Sequence, residues 1–156
     1  MRMQSARNMA FRLTRTHGTN DPFSIARQKR VQVLFEPLGN IMGFFSTYKR
    51  TLFIHINSDD SEEEQRFTCA HELGHVVMHR KVNVPFLKRN TLQSIDRIER
   101  EANEFAANLL IPDELLLSGM TIYEAAAACG VPEEVACLKR IPKNNIWNSE
   151  DSYFSL

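Results

Sequence analysis

Arg66-Phe67-Thr68-Cys69-Ala70-His71-Glu72-Leu73-Gly74-His75-Val76-Val77-Met78-His79 is the stretch around which this chain is organised. Its centre, His71-Glu72-Leu73-Gly74-His75, has the form H-E-x-x-H. Residues four apart on a helix lie one turn apart on one face, so His71 and His75 can aim two imidazoles at a single ion. Glu72 then sits beside that ion, placed to take a proton from a water bound to it, which is the zinc-hydrolase arrangement. A helix from Glu62 to His79 is predicted on independent grounds. Ser61 with Glu64 has the form of a capping box, and Glu62, Glu63 and Glu64 suit the positive end of the helix dipole. Phe67, Ala70, Leu73, Gly74, Val77 and Met78 recur at helical spacing as an apolar stripe. The bland alternative is an amphipathic helix whose histidines are ordinary core or surface groups; a second motif, below, outweighs it.

The bulk numbers set the frame. A chain of 156 residues, 43% apolar and 24% charged, is expected to form one ordinary globular domain with a real core. The formal net charge is zero, so the whole molecule is no electrostatic match for nucleic acid or an anionic membrane. Charge is uneven: the first thirty residues hold seven Arg or Lys against the single acid Asp21, and 59–64 is an acidic run. Solvated surface is the simpler reading of both. Cys69, Cys129 and Cys137 are odd in number and show no C-x-x-C spacing, which suits reduced thiols and a cytoplasmic location. No stretch has signal-peptide character or membrane-spanning length, so no membrane partner is expected.

Along the chain, residues 1–30 read as N-terminal helices, the first basic and amphipathic over 5–15, the second opened by Asp21-Pro22. Residues 31–57 carry three strand patterns: Val31, Val33 and Phe35 in alternation, then Ile41 to Tyr48, then Thr51 to Asn57. They predict a small antiparallel three-stranded sheet laid against the H-E-x-x-H helix. Residues 61–112 hold two metal-binding helices, joined by a loop over 80–94 that contains Pro85, with the second helix running from Ser94 to Ile111. Residues 113–141 are further helices, and 142–156 read as a flexible tail. The fold class is therefore α+β.

Two histidines leave a catalytic zinc one protein ligand short. The candidate lies in Ile98-Glu99-Arg100-Glu101-Ala102-Asn103-Glu104-Phe105-Ala106. Glu99 and Glu101 project about 200° apart on a helix. Glu99 shares a face with small or polar residues, including Asn103, which could hydrogen-bond and orient a ligand. That favours Glu99 and leaves Glu101 as the alternative. His79 repeats the four-residue step but lies about 6 Å further along the axis. It reads as a helix-end histidine interacting with the dipole.

Together, Arg66-Phe67-Thr68-x-Ala70-His71-Glu72-Leu73-Gly74-His75 and Glu-x-Glu-Ala-Asn-x-Phe-Ala-Ala-x-Leu-Leu-Ile-Pro over 99–112 resemble the ImmA/IrrE family of metallopeptidases. Weaker likenesses extend this over roughly residues 5–141, at Asp21-Pro22-Phe23, Ile56-Asn57 and Thr121-x-x-Glu124. Cys69 departs from the family, which more often has an aliphatic residue there, but it is not at a ligand position. The resemblance implies a zincin-like fold, a Zn2+ cofactor, and limited proteolysis of a repressor-type regulator, an anti-repressor activity found in mobile elements and stress responses. It also implies that the first glutamate of the second motif, Glu99, is the ligand.

The expected function is thus a zinc metalloendopeptidase. His71, His75 and Glu99 hold the zinc, Glu72 activates the zinc-bound water, and a helix-turn-helix repressor is the protein substrate. Tyr48, His55 and Tyr123 are candidate oxyanion donors among which the sequence does not choose. Two rivals belong to other classes. One is a DNA-binding regulator using the helix-turn-helix cadence of 124–140. Against it, Glu133 and Glu134 occupy the start of the second helix, where readout residues would sit, so direct nucleic-acid binding is not expected. The other is a protease-fold protein, antitoxin-like, that acts by binding alone.

Overall fold

A computed structural model describes residues 5–82, 84–92 and 96–140. The chain opens with α1 (Ala6–His17) and α2 (Pro22–Gln28). The side chain of Ser5 caps α1, and that of Asp21 caps α2 through the amides of Phe23 and Ser24. The strands β1 (Gln32–Glu36), β2 (Ile41–Tyr48) and β3 (Thr51–Asn57) follow, then α3 (Glu62–Met78). The predicted capping box closes α3 in both directions, between Ser61 and Glu64. After it come the two-residue strand β4 (Leu87–Lys88) and α4 (Arg97–Leu110). The described residues close with α5 (Asp113–Leu117), α6 (Ile122–Ala128) and α7 (Glu133–Ala136). The start predicted for α4 at Ser94 and the tail over 142–156 lie outside the described residues.

The sheet differs from the expected three antiparallel strands. It has four, in the order β1-β3-β2-β4, and β1 runs parallel to β3. Two local features explain this. Lys49 and Arg50 both take left-handed conformations, at φ 46° and 67°, and join β2 to β3 as a two-residue hairpin. Those two strands are therefore neighbours, and β1 must pair with the far edge of β3. Residues 37–40 then cross the end of β3, about 10 Å over two strand spacings, well within reach of the chain. Buried Asn57 ties that crossing down. Its Nδ2 donates to the carbonyls of Gly39 at 2.9 Å and Ile41 at 3.0 Å, and its Oδ1 accepts from the amides of Leu38 and Asp59. The fourth strand falls in the stretch expected to be loop. Leu87 pairs with Gly43 and Lys88 with Ile41, a run too short to display a pattern. β1 lies at the other edge, and its Phe35 is half exposed against the ring of Phe23.

α3 lies between the sheet and α4, and α1 packs on α4. Every residue of α3 from Phe67 to Val76 is buried. Two glycines permit this close layering. A side chain on Gly43 would collide with Thr68 Cγ2 and with the His55 carbonyl. One on Gly74 would meet the Phe105 ring at 2.9 Å.

Asn57→Ala would leave the crossing carbonyls and amides without partners. Loss of ~1–3 kcal/mol is expected, read as a lower urea midpoint with unchanged slope. An unshifted midpoint would show that the crossing does not depend on Asn57.

Candidate metal centre

α3 and α4 bring together three of the residues singled out by spacing. His71, His75 and Glu99 are all buried, and one ligand atom from each lies within 4.8 Å of the others. Glu99 Oε2 is 3.3 Å from His71 Nε2, and Glu99 Oε1 is 3.1 Å from His75 Nε2. The two Nε2 atoms are 3.0 Å apart. Asp96 caps α4 through the amides of Ile98 and Glu99, which fixes the turn carrying Glu99 at the start of the helix.

Asn103 holds His71 from behind. Its Nδ2 donates to the Leu92 carbonyl at 3.2 Å, which leaves Oδ1 as the acceptor 2.8 Å from His71 Nδ1. His71 therefore carries a hydrogen on Nδ1 and turns Nε2 towards Glu99. Glu101 is placed elsewhere: it bonds His79 Nε2 at 2.7 Å and Arg97 at 2.8 Å. His79 stands at the C-terminal cap of α3, as its position suggests, and is buried, with its Nδ1 3.0 Å from His75 Nδ1. The signal for this contact is the repeated step His71, His75, His79, which puts His79 one helical turn beyond His75. Cys69 is buried outside the cluster, its thiol pushed up by burial.

The electrostatics follow from burial. Burial raises Glu72 to about 7, with Glu99 adding to the rise and His71 opposing it. Burial lowers His75 to about 4. Burial would raise Glu99, but the two imidazoles hold it down at about 2. His71 is raised: burial opposes this, and Glu99, Glu72 and Asn103 overcome it. Both oxygens of Glu72 are buried with no hydrogen-bond partner, and so is Glu99 Oε1. Glu99 Oε1 is at hydrogen-bonding distance from His75 Nε2, yet no aligned hydrogen bond reaches it. Orphaned carboxylate oxygens beside bare imidazole nitrogens are a donor set suited to a divalent cation. The residues present fit a metal ion.

The candidate oxyanion donors are not gathered here. His55 lies on the sheet face away from α3, bonded to Glu36 and Ser46 and stacked 4.3 Å from Phe44. Tyr48 and Tyr123 are well exposed, at 65% and 54%.

Glu72 bears on the metal-free protein. Its folded value lies above the unfolded one, so its stabilising share is complete below pH 4.5 and is lost as pH rises through 7. Glu72→Gln removes that loss. The metal-free mutant is expected to exceed wild type in thermal stability at pH 8 and to approach it near pH 4. Equal melting temperatures at pH 8 would refute the uncompensated burial of Glu72.

Residues 26–139 match the IrrE N-terminal-like domain, a peptidase family. The chain is 40% identical over 133 residues to the "Uncharacterized immunity region protein 2" of Bacillus phage phi105, covering 82% of this chain and 84% of that one. It is 30% identical over 152 residues to the metallopeptidase ImmA of Bacillus subtilis (strain 168), covering 90% of this chain and 89% of that one. The α+β fold, with its small mixed sheet and the paired helices α3 and α4, is consistent with the zincin-like fold expected for such proteins. The chain belongs to the ImmA/IrrE family of metallopeptidases.

Proposed function

We propose that the protein is a zinc-dependent metalloendopeptidase making a limited cut in a protein substrate, with His71, His75 and Glu99 as the metal ligands. The carrying observation is the buried His-His-Glu cluster with the unpartnered carboxylate of Glu72 beside it. Zinc held there supplies Lewis-acid polarisation of the scissile carbonyl and an acidified water. Glu72 follows His71 directly on α3, and both its carboxylate oxygens are free of protein partners, which suits a group that takes a proton and returns it. In the reaction it accepts the proton of the attacking water and passes it to the leaving amine. Asn103 keeps His71 oriented through Nδ1. Beyond the pairing of Leu87 and Lys88, the edge of β2 towards Tyr48 offers strand backbone to an extended peptide.

The proposed substrate is a repressor-type helix-turn-helix regulator. The family resemblance supports this, as does a relative whose name places it in a phage immunity region. The proposed setting is the cytoplasm. No helix among the described residues is long and apolar enough to cross a membrane. The three cysteines are free. The DNA-binding alternative fares worse. α7 is a single four-residue turn whose Val135 and Ala136 are buried, and the nearby bases are engaged, Lys139 with Asp113 and Arg140 with Glu104.

Glu72→Gln should keep its metal and lose ~100-fold or more of its cleavage of a co-encoded repressor. Unimpaired cleavage would sink the mechanism. Glu99→Ala should lose stoichiometric zinc by metal analysis; a full zinc content would remove Glu99 from the ligand set.

A further inference from the structure

Glu101 and His79 take no part in the mechanism above, yet both are held in a continuous chain that ends on His75. Arg97 Nε donates to Glu101 Oε1 at 2.8 Å. Glu101 Oε2 lies 2.7 Å from His79 Nε2. His79 Nδ1 lies 3.0 Å from His75 Nδ1. His75 Nε2 then faces His71 and Glu99. His75 and His79 are both buried.

With His79 neutral, donor and acceptor roles follow along this chain from Glu101. An ionised carboxylate only accepts, so His79 Nε2 must carry a hydrogen to bond Glu101. A neutral imidazole has one donor and one acceptor nitrogen, so His79 Nδ1 is the acceptor. His75 Nδ1 faces that acceptor and must donate. Neutral His75 is then left with a bare Nε2, whose lone pair points at the cluster. The same state is reached for His71 by one residue, the acceptor Oδ1 of Asn103. For His75 it takes two residues from two helices.

We propose that Glu101 acts through His79 as a positioning pair that fixes the tautomer and ring orientation of His75, so that its Nε2 is presented bare to the ion held with His71 and Glu99. This rests on the metallopeptidase reading above. It gives Glu101 a role in the site other than the ligand role its sequence position suggests. A merely structural alternative would have His79 fill space beneath His75.

Five variants separate these: His79→Ala, His79→Asn, Glu101→Ala, Glu101→Gln and the double alanine variant. The His79→Asn change would keep an oxygen acceptor near the place of Nδ1, and Glu101→Gln would keep an acceptor for the Nε2 hydrogen of His79. Zinc and cobalt(II) affinities are measured by chelator competition on each full-length protein, with circular dichroism checking the fold. His79→Ala and Glu101→Ala are expected to bind ~10–100-fold more weakly. The double alanine variant should be no weaker than His79→Ala alone, because both act through one chain. His79→Asn and Glu101→Gln should recover most of the affinity.

Nitrogen NMR of the imidazoles in metal-free wild type gives a readout independent of metal loading. It should show the hydrogen on Nδ1 of His75 and on Nε2 of His79. Wild-type affinity in His79→Ala would overturn the proposal, as would His79→Asn binding as weakly as His79→Ala, or a His75 that carries its hydrogen on Nε2. If wild type itself bound neither ion, the metallopeptidase reading would fall. With the NMR tautomers as expected, that failure would be distinguishable from a failure of the positioning chain.

Discussion

The carboxylate of Glu99 between the imidazoles of His71 and His75 is the interaction on which the remaining structure depends. Placing a negative charge and two nitrogen bases in a core is costly unless each finds a partner. The fold meets that demand by geometry. α4 must approach α3 closely enough for Glu99 to reach across, and the bare backbone of Gly74 under the Phe105 ring allows it. The sheet must press on the opposite side, and Gly43 allows that against Thr68. α3 is consequently buried on all sides over its middle turns, and its polar groups can only be answered from neighbouring elements. Asn103 and His79 answer two of them. Glu72 is left without an answer from the protein itself.

Much of this is legible in the residues, for reasons that differ by element. α3 declares itself through local chemistry, a reciprocal cap and an apolar stripe, and both act over a few residues. α1, α2 and α6 likewise begin at side-chain caps written into the sequence at Ser5, Asp21 and Thr121. The choice of Glu99 over Glu101 as the group facing the histidines rests on which helical face is small and polar, and Glu99 lies beside them in the fold. The sheet is less legible. Its order hinges on left-handed Lys49 and Arg50, residue types that carry no strong turn signal, and on Asn57, whose bonds reach back sixteen or more residues. β4 is two residues long and exists only because β2 offers it an edge. The role of His79 depends on a partner twenty-two residues away on another helix, which spacing along one helix does not reveal.

The C-terminal helices show the same limit from the other side. Their helix, glycine turn and helix cadence is real, since Gly130 does turn the chain at φ 69°. What the cadence lacks is length, since α7 is four residues long and its Val135 and Ala136 are buried. The buried amine of Lys139 is spent on Asp113, which Arg7 of α1 also contacts, and Arg7 in turn donates to the carbonyl of Arg140. These bonds fasten the last described turn to the first helix, and Val131, Val135 and Ala136 of the segment join the core.

The crossing held by Asn57 also orders events in time. The β2–β3 hairpin closes around two residues, from Tyr48 to Thr51, and can form in microseconds with little loss of chain entropy. β1 meets β3 across twenty-one residues, Gln32 against Phe53, and its docking edge does not exist until the hairpin has formed. The strand that leaves the ribosome first therefore waits for β3 to be made and then closes the larger loop to pair with it. Until then the far edge of β3 stands open, and any extended peptide that pairs with it competes with the protein's own β1.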